Sequence, residues 1–143
     1  MRISDLIERK GRFVATIAPG ESVQSVLGEL ARHNVGALVV SADAATVDGI
    51  VSERDVVRAL DELGPGVLGR DVATIMSRTV QTCAPDDPVD SLMATMTGHR
   101  IRHVPVVDRG ALVGIVSIGD VVKERLEELE RDRDALVSYI NAR

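Results

Sequence analysis

The chain has 143 residues, 45% of them apolar and only 1% aromatic, and a formal net charge of −5. That charge, with almost no rings for base stacking, argues against a broad nucleic-acid or anionic-membrane surface. A single cysteine, Cys83, excludes an internal disulfide and fits a reducing cytosol, so a cytoplasmic protein is expected.

Residues 1–13 are charged and lack the apolar region of a signal peptide. No apolar run approaches the ~20 residues needed to span a bilayer. With so few rings, the core must be built from Val, Ile, Leu, Ala and Met.

In chain order, residues 3–10 form a short helix with Ile3, Leu6 and Ile7 on one face, broken at Gly11. Residues 13–17 are extended and end at Pro19-Gly20. Residues 22–33 form an amphipathic helix with Val23, Val26, Leu27 and Leu30 at helical spacing. Residues 37–40 are a buried strand, 41–48 a turn and 49–51 a second strand. Ser52 caps a helix that runs to about Leu63. Gly64-Pro65-Gly66 stops it and opens a linker.

The second half follows the same order. A short helix over 71–76 leads to an extended segment over 80–83 and a turn at Pro85. A helix follows over 88–99, with Pro88 as its first residue behind Asp87 as cap. A strand over 103–107 and a turn at Asp108-Arg109-Gly110 lead to a strand over 112–116 and a helix from Ser117.

The similarity of the halves is a sequence repeat. Gly49-Ile50-Val51-Ser52-Glu53-Arg54-Asp55-Val56-Val57 recurs 65 positions later as Gly114-Ile115-Val116-Ser117-Ile118-Gly119-Asp120-Val121-Val122. Upstream, at an offset of 66, Thr16-Ile17-Ala18-Pro19 falls on Thr82-Cys83-Ala84-Pro85, and His33 on His99. The offset changes only in a polar turn, where insertions are tolerated. The expected fold class is α+β: two β-α-β-β-α repeats related by pseudo-two-fold symmetry, each with a three-stranded sheet, plus a C-terminal helix. Residues 1–63 are the first repeat with its N-terminal helix, 64–70 the linker, 71–126 the second repeat and 127–143 a helical tail. Neither half has enough core to stand well alone at ~60 residues. In the tail, Val122, Leu126, Leu129, Leu136 and Ile140 make a heptad-like stripe, with Arg133 at the missing position. That stripe can pack on its own domain or on a second copy of the chain.

Ser52 and Asp55 have the spacing of a capping box, which satisfies free N–H groups at a helix start. A strand feeding a helix N-terminus also presents those groups and a partial positive charge to an anion. A carboxylate one turn in can accept both hydroxyls of a ribose. The two copies differ around these motifs. Arg100, Arg102 and His103 of the second stand where the first has Asn34, Gly36 and Ala37, and Arg54 of the first stands opposite Gly119. Arginine is the better fork for phosphate. His33 and His99 end helices, where they suit the C-terminal dipole better than a metal, and three histidines with one cysteine make no zinc pattern. No Gly-x-Ser-x-Gly, P-loop or Gly-x-Gly-x-x-Gly motif is present, and no nucleophile–base constellation is visible, so no enzyme is expected.

Paired Gly-Ile-Val-Ser-x-x-Asp units, with Arg100-Ile101-Arg102-His103-Val104-Pro105-Val106 leading to Asp108, resemble a pair of CBS domains, a Bateman module. The resemblance covers about residues 1–126, and a stand-alone pair, without an attached enzyme, transporter or channel domain, is expected. It implies a regulatory module that binds an adenosine nucleotide in the clefts between the repeats. AMP is the first choice; ATP, ADP, NAD or S-adenosylmethionine are the alternatives. It also implies a homodimer, a flat disc of four CBS repeats, that signals to an effector protein.

By that resemblance Asp55 and Asp120 hold ribose hydroxyls, while Ser52 and Ser117 contact phosphate. Arg54, Arg102 and His103 are the phosphate candidates. An aliphatic base pocket is expected from Val14, Leu38, Val80, Val104 and Ile115, with the backbone near Thr79 and Val80 reading the adenine edge. Thr16, Ala37 and Pro105 complete the expected set, Pro105 as part of an edge strand. No metal is expected. The rival reading is a ligand-free dimerisation or scaffold module whose motifs serve only as helix caps.

Overall fold

The computed structural model describes residues 1–142. Its elements are α1 (Ile3–Lys10), β1 (Thr16–Ile17), α2 (Val23–His33), β2 (Ala37–Val40), β3 (Gly49–Ser52), α3 (Glu53–Leu63), α4 (Val89–His99), β4 (His103–Asp108), β5 (Ala111–Ser117) and α5 (Ile118–Asn141). Short 3₁₀ turns at Pro65–Gly69 and Val72–Thr74 join the two halves. No helix among the described residues is long and apolar enough to cross a membrane.

In the first half β1, β2 and β3 form one sheet in that order. β1 runs parallel to β2, with Thr16 opposite Val39, and β2 antiparallel to β3, with Leu38 opposite Val51. All four residues of β2 are buried, as expected for a central strand with both faces covered. Each half has its own core. Val23, Val26, Leu30, Leu38, Val40, Val51, Val56 and Val72 fill the first. Val89, Leu92, Met96, Val104, Val106, Val116 and Val121 fill the second.

The cores do not follow chain order. Ile3, Leu6 and Ile7 of α1 pack into the second core, although α1 precedes the first repeat. The isolated bridge Arg2–Pro88 ties that entry: Ile3 N donates to Asp87 O and Val89 N to Met1 O. The symmetric bridge Ser22–Asp71 brings Val72 into the first core. The expected linker, 64–70, is folded, and its Val67 is only 1% exposed. The halves therefore exchange short segments, and each closes the other's core.

Three expectations need correction. The helix expected over 71–76 is a single 3₁₀ turn, Val72–Thr74, and goes no further because Ser77 N donates to Ile50 O of β3 at 2.9 Å, not back along the chain. Pro88 is not the first helical residue: its ψ of 144° is extended and makes it the N-cap. Asp87 does not cap either; its carboxylate accepts from Ala84 N at 2.8 Å.

The third correction concerns the second sheet, which has two strands, not three. Residues 80–83 reduce to one parallel bridge, Cys83 to Val106. Pro105 explains the loss. In the first half Val39 N donates to Ala15 O across the equivalent ladder. Pro105 sits at the matching position and has no N–H to give. Its carbonyl still accepts from Cys83 N at 3.0 Å, and Val107 N donates to Cys83 O at 2.8 Å. Pro105 is thus flanked on both sides, by Cys83 and by β5, and is not at a free edge.

Candidate functional site

Both Ser-x-x-Asp motifs fold as reciprocal capping boxes. Ser52 N donates to Asp55 Oδ2 at 2.8 Å, and Asp55 N donates to Ser52 Oγ at 3.3 Å. In the second repeat Ser117 N donates to Asp120 Oδ2 at 2.8 Å, and Asp120 N to Ser117 Oγ at 3.2 Å. The cap uses one carboxylate oxygen; the other oxygen of Asp55 has no hydrogen bond among the described residues.

The surroundings of the two motifs differ. The Asp55 motif opens onto a cavity of about 270 Å³, near the lower end of the ~300–1,000 Å³ usual for small-molecule sites. Its walls come from both halves. α3 contributes Glu53, Arg54 and Asp55 from its first turn, and Arg58, one turn beyond Arg54. The segment after the 3₁₀ turns contributes Ser77, Thr79, Val80 and Gln81, held across β3 by the bridge between Ile50 and Ser77. The end of α4 and start of β4 contribute Arg100, Ile101, Arg102 and His103. Four arginines and a histidine thus face two carboxylates, in a chain whose net charge is −5. The cavity is an anion-favouring pocket with an aliphatic wall.

Arg100 takes a left-handed backbone at the end of α4, with φ 54°, where the first repeat has Asn34 at φ 51°. Asparagine tolerates that conformation better than arginine. The strain at Arg100 coincides with a place in the cavity wall. Gly36 has a different task. A Cβ there would lie 3.3 Å from His103 Cε1, so the glycine lets the imidazole of the second half close over the first. Burial pushes the His103 imidazole down, and the positive charges of Lys10 and Arg102 push it further. Asp120 and Glu53 pull it back only in part, leaving it below the ordinary histidine value.

The Asp120 motif is occupied by the chain itself. Lys10 Nζ donates to Asp120 Oδ2 at 2.5 Å and to Ile115 O at 2.6 Å. In the first repeat the equivalent carbonyl, Ile50 O, accepts the backbone N–H of Ser77 at 2.9 Å. The lysine side chain takes the place of that amide. Burial raises the Asp120 carboxyl, but the hydrogen bonds from Lys10 and Ser117 and the lysine charge outweigh it and hold it below the usual range. A second cavity of about 150 Å³ lies between α1 and the β4–β5 pair, and neither Ser117 nor Asp120 lines it.

Eight of the expected residues therefore line one cavity: Ala37, Ser52, Arg54, Asp55, Thr79, Val80, Arg102 and His103. Leu38 and Val104 do not; both are fully buried in the two cores. Val14, Thr16, Pro105 and Ile115 line neither cavity. Reading the sequence missed Gly36, Ile50, Glu53, Arg58, Ser77, Gln81 and Ile101, and noted Arg100 without placing it in the site. Arg58 had a signal, since it lies one helical turn beyond Arg54. Lys10 had none, because its partner is 110 residues away. No group of three or more His, Cys, Asp or Glu placed to hold a metal occurs among the described residues.

Comparison with known proteins matches the family model described as CBS domain twice, over residues 4–62 and 71–127. The mitochondrial CBS domain-containing protein CBSX3 of Arabidopsis thaliana is 33% identical, over 96% of this chain and 71% of that protein. A solved CBS-domain containing protein of Agrobacterium tumefaciens superposes with a TM-score of 0.84 at 45% identity, covering 87% of this chain and 99% of its own. A CBS domain protein of Pyrobaculum aerophilum, solved in complex with AMP, superposes with a TM-score of 0.79 at 33% identity, covering 91% and 97%.

Proposed function

This chain belongs to the CBS domain family, as a pair of repeats, and on that premise we propose that it is a regulatory module binding an adenosine nucleotide in the cleft beside Asp55. The observation that carries the reading is the cavity itself. A carboxylate with one unused oxygen lies within a wall of Arg54, Arg58, Arg100, Arg102 and His103. The carboxylate suits the paired hydroxyls of a ribose, and the arginines suit phosphate. The aliphatic part, Ile50, Val80 and Ile101, suits a base without aromatic stacking. The AMP complex of the Pyrobaculum relative supports AMP as first choice.

The two clefts are unequal in this reading. The first is open, and the second has its carboxylate held by Lys10. One ligand per chain follows. Because the cavity wall is drawn from both repeats, a bound nucleotide favours one packing of the halves over others, and an effector protein reads that difference.

The complete capping boxes favour a second reading, a scaffold in which Ser52 and Asp55 only start a helix. Calorimetric titration of the folded chain with AMP, ATP, NAD and S-adenosylmethionine separates the two. Saturable binding of one of them supports the module; no binding of any leaves the scaffold.

A further inference from the structure

α5 begins as part of the second half and then leaves it. Its last buried residue is Glu124, 6% exposed, which accepts from Arg9 Nη1 at 2.7 Å and Arg131 Nη2 at 3.2 Å. From residue 128 to 141 every position is exposed. That stretch is about 20 Å of helix. A helix of this length standing alone in water is marginal. Yet Leu129, Leu136 and Ile140 are 50%, 61% and 59% exposed, on a single stripe.

Val122, Leu126, Leu129, Arg133, Leu136 and Ile140 follow one another at spacings of four, three, four, three and four. That is the inner seam of a two-stranded coiled coil. One flank of the seam carries Arg125 and Asp132; the other carries Lys123 and Glu130. The charges select an orientation. With two copies parallel and in register, each Arg125 faces the partner's Glu130 across the seam. Arg133, the only polar seam residue, then meets the partner's Arg133 in one layer, each flanked by the other chain's Asp132, which offsets the like charge. With full antiparallel overlap, Glu130 instead meets the partner's Glu130, and Asp132 the partner's Asp132. Like charges directly opposed disfavour that arrangement. In the single chain Arg125 turns back to its own Glu128 at 3.1 Å and Arg133 to its neighbour Asp134 at 3.0 Å. Both contacts are exposed and weak enough to exchange.

We infer that the projecting half of α5 pairs in parallel, in register, with the same helix of a second copy of this chain. The inference rests on the tail alone and stands whether or not the cleft binds a nucleotide. A polar residue at one seam position also specifies register and favours two strands over larger bundles, at a cost in stability.

The test is made on the full chain. Its mass in solution is measured first, by sedimentation. Leu129→Cys is then introduced with Cys83→Ala and oxidised gently. A dimer in which Leu129→Cys cross-links to itself is expected. Arg125→Glu should weaken self-association by roughly two- to fivefold, and adding Glu130→Arg should restore it. A monomer, leaving the stripe for some other protein, overturns the inference. So does a dimer in which Leu129→Cys fails to cross-link, or in which the double charge swap restores nothing.

Discussion

Lys10 Nζ sits 2.5 Å from Asp120 Oδ2, whereas among the described residues no lysine or arginine forms an ion pair with Asp55. Two carboxylates that are equivalent by sequence repeat are thus unequal in state. The Lys10–Asp120 pair is about three-quarters buried. Lys10→Met should cost about 0.5–1.5 kcal/mol of stability, read by urea denaturation. Asp120 has its folded value lowered, so its contribution is present above the ordinary value of 3.8 and is lost as pH falls through the folded one. Lys10→Met should therefore lose less stability than the native chain on acidification below pH 4. With its lysine gone, the second cleft should also become available, raising the bound nucleotide from one to two per chain in equilibrium dialysis.

His103 faces the open cleft and is held neutral by burial and by Lys10 and Arg102. Its folded value lies below the unfolded 6.5, so the unfolded chain takes up the proton first and stability falls as pH drops through that window. A phosphate in the cleft reverses the preference, because it favours the imidazolium. Affinity for AMP should rise between pH 7.5 and pH 6, while affinity for adenosine should not. His103→Gln should flatten both the stability slope and the AMP slope. An AMP affinity that does not depend on pH in the native chain contradicts this role.

Gly36 leaves room for His103, and a side chain there competes with it. Gly36→Val should reduce nucleotide affinity at least tenfold while costing stability only about 1 kcal/mol, since the position borders a cavity and not the core. Comparing the calorimetric affinity with the thermal midpoint separates the effects.

Cys83 packs beside the second core, and burial with the nearby Asp87 charge pushes its thiol up to about 12. At pH 8 the Cys83 thiol is then almost wholly protonated and a poor nucleophile. Labelling by a thiol-disulfide reagent should be slow in the folded chain and fast once urea unfolds it. Fast labelling without denaturant would contradict the burial.

The repeat made most of the fold legible before any coordinates. Apolar runs at strand length and helical spacing placed α1, α2, β2, β3, α3, β4 and β5 to within a residue or two. The Ser-x-x-Asp motifs placed both helix starts, because a capping box is a local device readable from four residues. Pairing across the chain was less legible. Periodicity does not say that α1 crosses to the second core, or that Pro105 deletes the one amide that a third strand needs. At Leu38 and Val104 the sequence does not separate two roles: an apolar strand residue suits a base pocket as well as a core, and both are buried in the cores. Within the site, charge was the better guide. Arg54, Arg102 and His103 all line the cavity, and the arginines with matching positions in the first repeat occupied by Asn34 and Gly36 marked the asymmetry.

The central claim is that the working cleft is the one beside Asp55, and titration of AMP into the native chain, Asp55→Ala and Asp120→Ala tests it most directly. The account predicts one site per native chain. Asp55→Ala should weaken it roughly ten- to a hundredfold, as expected for a lost charge-assisted contact of about 1.5–3 kcal/mol. Asp120→Ala should leave affinity at the first site within about twofold. Equal losses from both substitutions, or loss only from Asp120→Ala, with all three proteins folded, would contradict it.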